Sequence, residues 1–346
     1  MNAPRDDYHA ASFETGSSQA TAIAEQPEPL ESIREKPVVV TGASGLVGTH
    51  LCQQLVTAGW RVRAIVRNTG KAAQRLGHLR VEIRTGDIRD VSEMRTALSG
   101  AGSLVHLAAI AIEKASEKYE DTNTNATRVL LDSAKAEGVE RIVYMSQNGA
   151  DGGSPYAFLR SKGIAQEMVQ QSGARWTVLR PSVIFGPEDE FVNVLARLVR
   201  LSPLVFPLPG GGAARFQPVS VGDVARAIIK VLEDDSTVRR TYDLGGAIPL
   251  TLRQMTERIL VAMNASRALV GVPVAAIRPI IAVAQRLLPH PPVTTSLLDL
   301  LHADNVIDRN DLQEELGITP VPFAPEELLY LRKITVGAAI TSLFRK

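Results

Sequence analysis

The chain of 346 residues is long enough for one large domain or a domain with a smaller lobe, and its 45% hydrophobic and 22% charged residues are those of an ordinary globular protein. A formal charge of +1 exerts no global pull toward nucleic acid, and one cysteine, Cys52, excludes an internal disulfide framework. The lone cysteine fits a reducing compartment, and a cytoplasmic setting is expected. Residues 1–36 lack the apolar core of a signal peptide and read as a disordered leader.

From residue 37 onward, short β-branched runs alternate with helical patterns. Strands are predicted at 38–42, 62–66, 81–87, 103–109, 141–146 and 175–181, with helices near 46–58, 124–137 and 155–172. Cys52 lies in the apolar pattern of the first helix, as a packed thiol. Strands alternating with helices imply parallel neighbours joined by crossovers. After residue 181 prolines and glycines cluster at 201–212, and helical patterns near 222–234, 252–263 and 275–288 accompany one short strand, 241–246. The fold class is therefore α/β: a Rossmann-type doubly wound parallel sheet over 37–181, with a smaller α/β C-terminal lobe over 182–346, some of whose segments return to the sheet.

Between the first strand and first helix stands "TGASGLVG", Thr41 to Gly48. Gly42 lets the chain turn sharply off the strand, Gly45 lets backbone approach a diphosphate, and Gly48 lets the helix pack closely on the sheet. The helix N-terminus offers unpaired amides and a positive dipole end. The alternative is a tight turn with no ligand. The end of the second strand, "AIVRNTGK", holds no carboxylate to accept from a ribose 2′-hydroxyl; Arg67 stands there instead. A guanidinium can hold a 2′-phosphate, so NADP(H) is favoured over NAD(H), unless Arg67 is simply a solvated surface charge.

The spacing Gly-x-x-Gly-x-x-Gly, with "GDIRD" (86–90), "VHLAA" (105–109), "LRPSVIFGP" (179–187) and "FQPVSVGDVARAI" (216–228), resembles the extended and atypical short-chain dehydrogenase/reductase family over roughly residues 37–260. The resemblance implies a dinucleotide held by Gly42, Ser44, Gly45, Leu46, Val47 and Gly48. It implies Asp87 and Ile88 beside the adenine, Leu107, Ala108 and Ala109 along the diphosphate and ribose, and Pro181, Ser182 and Val183 over the nicotinamide. Asn123 matches the family's structural asparagine, grouped here with the cofactor-binding residues.

Family enzymes pair a tyrosine with a lysine four residues later on one helix face, so that the phenol can give or take a proton as hydride moves. In "SPYAFLRSKGIAQEMV", Lys162 matches the lysine, but Phe158 stands four residues before it and Tyr156 six. Either Phe158 fills the tyrosine slot and redox chemistry is impaired, or the helix begins late and Tyr156 is recruited. Ser154 and Pro155 resemble an N-cap and first-turn pair, which would start the helix before Tyr156. Ser146, after the fifth strand, can bond a substrate carbonyl or cap the strand end.

"FLRSKGIAQ", "VLRPSVIFGPEDEFVN" and "YDLGGAIPLTLRQMTERIL" further resemble a branch that includes the nucleotide-binding accessory subunit of respiratory complex I. That resemblance implies tight nucleotide holding with little turnover, and peripheral contact with the inner face of a membrane or with a respiratory complex or quinone system. The alternative is an active oxidoreductase or sugar-nucleotide epimerase using Tyr156 and Lys162. His9, His50, His78, His106, His290 and His302 form no pair at metal-ligand spacing, so no metal is expected, and His106 reads as a satisfied core residue. The stretches 275–288 and 330–346 are amphipathic with basic residues; they pack on the lobe or lie against a membrane or partner.

Overall fold

The computed structural model describes residues 34–113, 117–288, 291, 293–295, 298 and 304–344. Most of the expected leader, His290 and His302 lie outside the described residues. Residues 34–36 of that leader are described, and Arg34 pairs with Glu233 at 2.5 Å and lies 5.4 Å from the Trp60 ring centroid.

Seven parallel strands form one sheet in the order β11-β6-β5-β4-β1-β2-β3. They are β1 (Val38–Thr41), β2 (Val62–Val66), β3 (Val81–Thr85), β4 (Ser103–His106), β5 (Arg141–Met145), β6 (Arg175–Pro181) and β11 (Arg240–Leu244). The run at 241–246 is thus a sheet strand: β11 pairs in parallel with β6. β1 is covered on both faces, which is why it reads as an unbroken apolar run without alternation.

Helices cover both faces of the sheet. On one, α1 (Leu46–Thr57) buries Val47, Leu51, Cys52 and Leu55, a single stripe at helical spacing. It packs beside α7 (Val221–Glu233), whose Val224, Ala225 and Ile228 share that core with Leu76 of α2 (Thr69–Leu76). The Cys52 thiol is fully buried and burial pushes it up to about 12, so it is inert. The opposite face is covered by α3 (Val91–Leu98), α4 (Ala126–Ala136) and α5 (Ala157–Gln171). Helices α2 and α3 are short, and each is fixed by a side-chain cap, Asn68 and Asp90, rather than by a long apolar pattern.

The second core gathers α6 (Val192–Leu201), α8 (Leu252–Ala262), Phe323 and a 3-10 segment Pro325–Lys333. Around it lie β7 (Ile184–Phe185), β8 (Val205–Pro209), β9 (Arg215–Phe216), β10 (Val219–Ser220), β12 (Leu250–Thr251) and β13 (Ala268–Val272), paired 8 with 13, 7 with 10 and 9 with 12. The amphipathic stretch 275–288 forms α9 (Val274–Leu287), none of whose residues is buried; Ile280, Val283 and Leu287 are exposed. After a short helix α10 (Asp311–Glu314), α11 (Val336–Phe344) packs against α6 and buries Ala339. No described helix is long and apolar enough to cross a membrane.

Candidate dinucleotide and reaction site

The corner after β1 is built from absent side chains. Gly42 has φ +69°, a left-handed conformation that other residues rarely adopt, and a Cβ there would sit 2.8 Å from the Ala108 backbone nitrogen. The Gly45 N–H donates to the Gly42 carbonyl at 2.9 Å and closes the turn. A Cβ on Gly48 would lie 2.3 Å from the Gly42 oxygen and 2.6 Å from Ala43 Cα, so Gly48 lets the helix pack on the glycine turn itself rather than only on the sheet. Helices α2, α3, α7 and α8 each have a side chain accepting at their N-terminus, from Asn68, Asp90, Ser220 and Thr251. α1 has none at Gly45 and no acid in its first turn. Its leading amides are thus capped by no side chain and face no acid of their own first turn, and the corner fits a diphosphate.

Along the rim, arginines meet carboxylates from the opposite wall. Arg67 pairs with Glu117, and Arg75 of α2 donates to the Ser44 carbonyl at 3.2 Å and pairs with Glu188. Asp87 is held by its neighbour Arg89, Nε to Oδ1 at 2.9 Å, and the guanidinium keeps its carboxyl below the ordinary range. Ile88 is buried in the core beneath the rim, while Ala108 is half-buried and Ala109 exposed. Across the crevice, Pro181 and Ser182 are buried and Val183 half-buried. The Ser182 hydroxyl donates to the Asn305 carbonyl at 2.8 Å, so the protein engages that side chain itself. Asn305 also meets the Asn148 amide at 2.9 Å. Sequence reasoning missed Arg75, Glu117, Glu188 and Asn305, because each acts through a partner tens of residues away.

The reaction end differs from the expectation at one point. Helix α5 starts at Ala157, and Tyr156 is its N-cap, with extended backbone at φ −84°, ψ 116°. Ser154 is not the cap and Pro155 is not the first helical residue: the Ser154 Oγ accepts from the Tyr156 N–H at 3.3 Å, forming a local turn that delays the helix. Tyr156 is therefore off the helix face and 37% exposed. Phe158 is inside the first turn, one helical face with Lys162, its ring 5.8 Å from Tyr119.

Lys162 is buried. Its Nζ donates to the Met145 carbonyl at 2.6 Å and lies 4.5 Å from the Tyr144 ring centroid, and burial lowers its pKa to about 7. Ser146, next in sequence to that carbonyl, has a buried Oγ with no hydrogen-bond partner among the described residues; it does not cap the strand end. Lys162 and Ser146 thus converge beside the end of β5, and among the described residues neither the Tyr156 nor the Phe158 side chain is bonded to Lys162 Nζ or Ser146 Oγ.

Residues 42–235, more than half of the chain, match the family described as NAD(P)H-binding. The chain belongs to the NAD(P)H-binding family. It is 33% identical over 224 residues to the mitochondrial NADH dehydrogenase (ubiquinone) 1 alpha subcomplex subunit 9 of Arabidopsis thaliana, a stretch covering 63% of this chain and 56% of that protein. It is 24% identical over 307 residues to the mitochondrial NADH-ubiquinone oxidoreductase 40 kDa subunit of Neurospora crassa, covering 86% and 80%. The chain therefore spans little more than half the length of the Arabidopsis relative. A UDP-glucose 4-epimerase of Thermus thermophilus solved with NAD shares the fold, with a TM-score of 0.65, 20% identity, and 88% and 99% coverage. The expected Rossmann-type fold and the resemblance to complex I relatives are both borne out, and a nicotinamide dinucleotide is the cofactor class.

In this NAD(P)H-binding chain, a buried line of hydrogen bonds ties the glycine corner to α4 and α5. Thr127 Oγ1 donates to the Asn123 carbonyl at 2.7 Å, so it must accept from His106 Nε2 at 3.0 Å. His106 Nδ1 then accepts from Thr41 Oγ1 at 2.8 Å, which accepts in turn from the Ala108 N–H at 3.4 Å. The imidazole is thereby fixed as the neutral Nε2–H tautomer, and burial lowers its pKa to about 3. Asn123 lies in a π-helical turn, Glu120–Asn125, its Oδ1 accepting from Ile110 N at 2.9 Å and its Nδ2 donating to Ser161 Oγ at 3.0 Å. Asn123 is a brace for the wall and for α5, its amide engaged by Ile110 and Ser161.

Proposed function

We propose that this is an NADP(H)-binding atypical short-chain dehydrogenase/reductase in which the dinucleotide is chiefly structural or regulatory, because the usual tyrosine–lysine proton transfer is missing. One observation carries the reading: Phe158 occupies the helical position four residues before the buried Lys162, and its ring has no proton to give. Gly42, Ser44, Gly45, Leu46, Val47 and Gly48 would hold the diphosphate. Arg67 would face a 2′-phosphate and Asp87 and Ile88 the adenine. Leu107, Ala108, Ala109, Pro181, Ser182 and Val183 would line the ring systems, with Lys162 near the ribose. When bound, the nicotinamide supplies or accepts hydride. The names of the relatives support a place beside a respiratory or quinone system, where the exposed Ile280, Val283 and Leu287 of α9 offer a surface for attachment.

A second reading, an active oxidoreductase or epimerase using Tyr156, is favoured by the late start of α5, which frees Tyr156 from the helical spacing that would turn it away. Native mass spectrometry of the purified protein, followed by a turnover assay, separates the two. The first expects a retained mass equal to NADP(H) and no hydride transfer. Turnover that disappears in Tyr156→Phe overturns it in favour of the second.

A further inference from the structure

The β2–α2 segment delivers two arginines toward the glycine corner, and they stand differently. Arg67 is 52% exposed and meets Glu117 across the rim, with Asp87 in electrostatic reach. Arg75 is 26% exposed and is anchored: Nη1 holds the backbone carbonyl of Ser44, inside the glycine loop, while Nη2 faces Glu188. Glu188 is the more exposed partner of the two, with 66% of its side chain accessible. It has φ +70°, an unusual left-handed conformation for glutamate. The turn that imposes it is clamped by the buried Asp189, which accepts from Phe191 N at 2.8 Å, from Asn193 Nδ2 at 2.8 Å and from Tyr330 Oη at 3.4 Å. An exposed carboxylate on a clamped turn is thus presented to the Arg75 guanidinium, which is itself anchored to the phosphate loop at Ser44.

We infer that Arg75 reads the 2′-phosphate of the dinucleotide, and that Glu188 is a stand-in anion that holds its guanidinium in place and gives way to that phosphate. Three features support this. Arg75 approaches the loop at Ser44 from the side of the β2–α2 segment, the ribose side, whereas the diphosphate corner is at the α1 amides beyond Gly45. Its contact to Ser44 uses one edge of the guanidinium and leaves the second edge for an anion, the fork geometry that suits a phosphate. A phosphate monoester carries close to two charges against one for a carboxylate, and it arrives with the rest of the ligand already bound, so it displaces the exposed Glu188. Selection then follows from charge: NAD(H) offers a hydroxyl that cannot take the place of Glu188, and the pair stays closed.

The inference rests on the NADP(H) reading, and the experiment keeps the two apart. Dissociation constants for NADPH and NADH are measured by titration calorimetry on the full chain and on Arg75→Gln and Glu188→Gln. The wild type is expected to prefer NADPH, Arg75→Gln to reduce the NADPH-to-NADH affinity ratio by about tenfold, and Glu188→Gln to raise it by about threefold, because the competing anion is gone. The opposite signs exclude a general loss of folding as the cause. A wild type without preference for NADPH overturns the NADP(H) reading and this inference with it. A wild-type preference that neither variant alters leaves the reading intact and removes Arg75. Equal weakening of both ligands in Arg75→Gln places the guanidinium on the diphosphate and overturns the 2′-phosphate assignment.

Discussion

The two ends of one crevice have been treated differently by the sequence. At the dinucleotide corner every backbone requirement is met: Gly42 turns left-handed, the α1 terminus is free of side-chain caps, and Gly48 allows sub-van der Waals closeness to the turn. At the reaction end the lysine and serine remain while the expected phenol position is a phenyl ring. On the proposed reading, the fold retains the geometry that binds a cofactor without the group that uses it, because the two demands fall on different residues. Binding here depends on backbone shape and helix polarity. Turnover depends on one hydroxyl at one spacing.

The sharpest way to test that difference is to restore the hydroxyl. Phe158→Tyr places a phenol on the Lys162 face of α5, and hydride transfer to a small carbonyl or quinone acceptor is expected to rise by about 100- to 10,000-fold, the usual contribution of a positioned proton donor. Stopped-flow absorbance of the reduced nicotinamide follows it. No gain in the variant, with the dinucleotide still bound, would show that the reaction end lacks more than a proton donor.

The buried ionisable groups give the next largest effect, and they divide by pH. Lys162 has a folded pKa of about 7 against 10.5 when solvated, so between those values the unfolded chain binds the extra proton and stability rises with pH. His106 has a folded pKa of about 3 against 6.5, so stability is lost as pH falls from 6.5 toward 3. Each group contributes about 1.4 kcal/mol per pH unit within its window. Chemical denaturation across pH is expected to show both slopes in the wild type, loss of the upper one in Lys162→Met, and loss of the lower one in His106→Gln.

How far the chain announced this structure follows the same division. The first six strands, the long helices and the glycine corner were legible because each is written in local pattern: β-branched runs, apolar stripes and glycines at fixed spacing. Helices α2 and α3, only eight residues each, carry too little periodicity to stand out. The start of α5 is not legible because Ser154–Pro155 has the composition of a cap, while the Ser154 hydroxyl instead closes a turn onto the Tyr156 N–H. Arg75 with Glu188, 113 residues apart, and Ser182 with Asn305, 123 apart, exist only once distant segments of the chain meet.

The corner itself can be broken by a single methyl. Gly48→Ala drives its Cβ against the Gly42 oxygen and Ala43 Cα, backbone atoms that cannot swing aside. The expected cost is about 1–3 kcal/mol of stability with loss of dinucleotide binding, read by thermal unfolding and calorimetry. Gly59→Ala is the matched control: it has φ +83° and nothing within 4 Å, so it bears backbone strain without a clash at the corner. Binding that survives in Gly48→Ala would mean the helix can withdraw from the turn without cost to the phosphate site.

The smallest expected effect belongs to Arg67, the residue the sequence advertised most plainly. Its guanidinium is half exposed and paired with Glu117, whose side chain is only 17% exposed. Water screens such a pair, and exposed ion pairs contribute about 0.2–1 kcal/mol, so Arg67→Gln should weaken NADPH by about two- to fivefold at low salt. Raising the ionic strength should shrink that difference further. A larger loss, one that persists in high salt, would move the centre of 2′-phosphate recognition from the anchored Arg75 back to the rim. It would also mean that the position just past the second strand had identified the reader of the ribose after all.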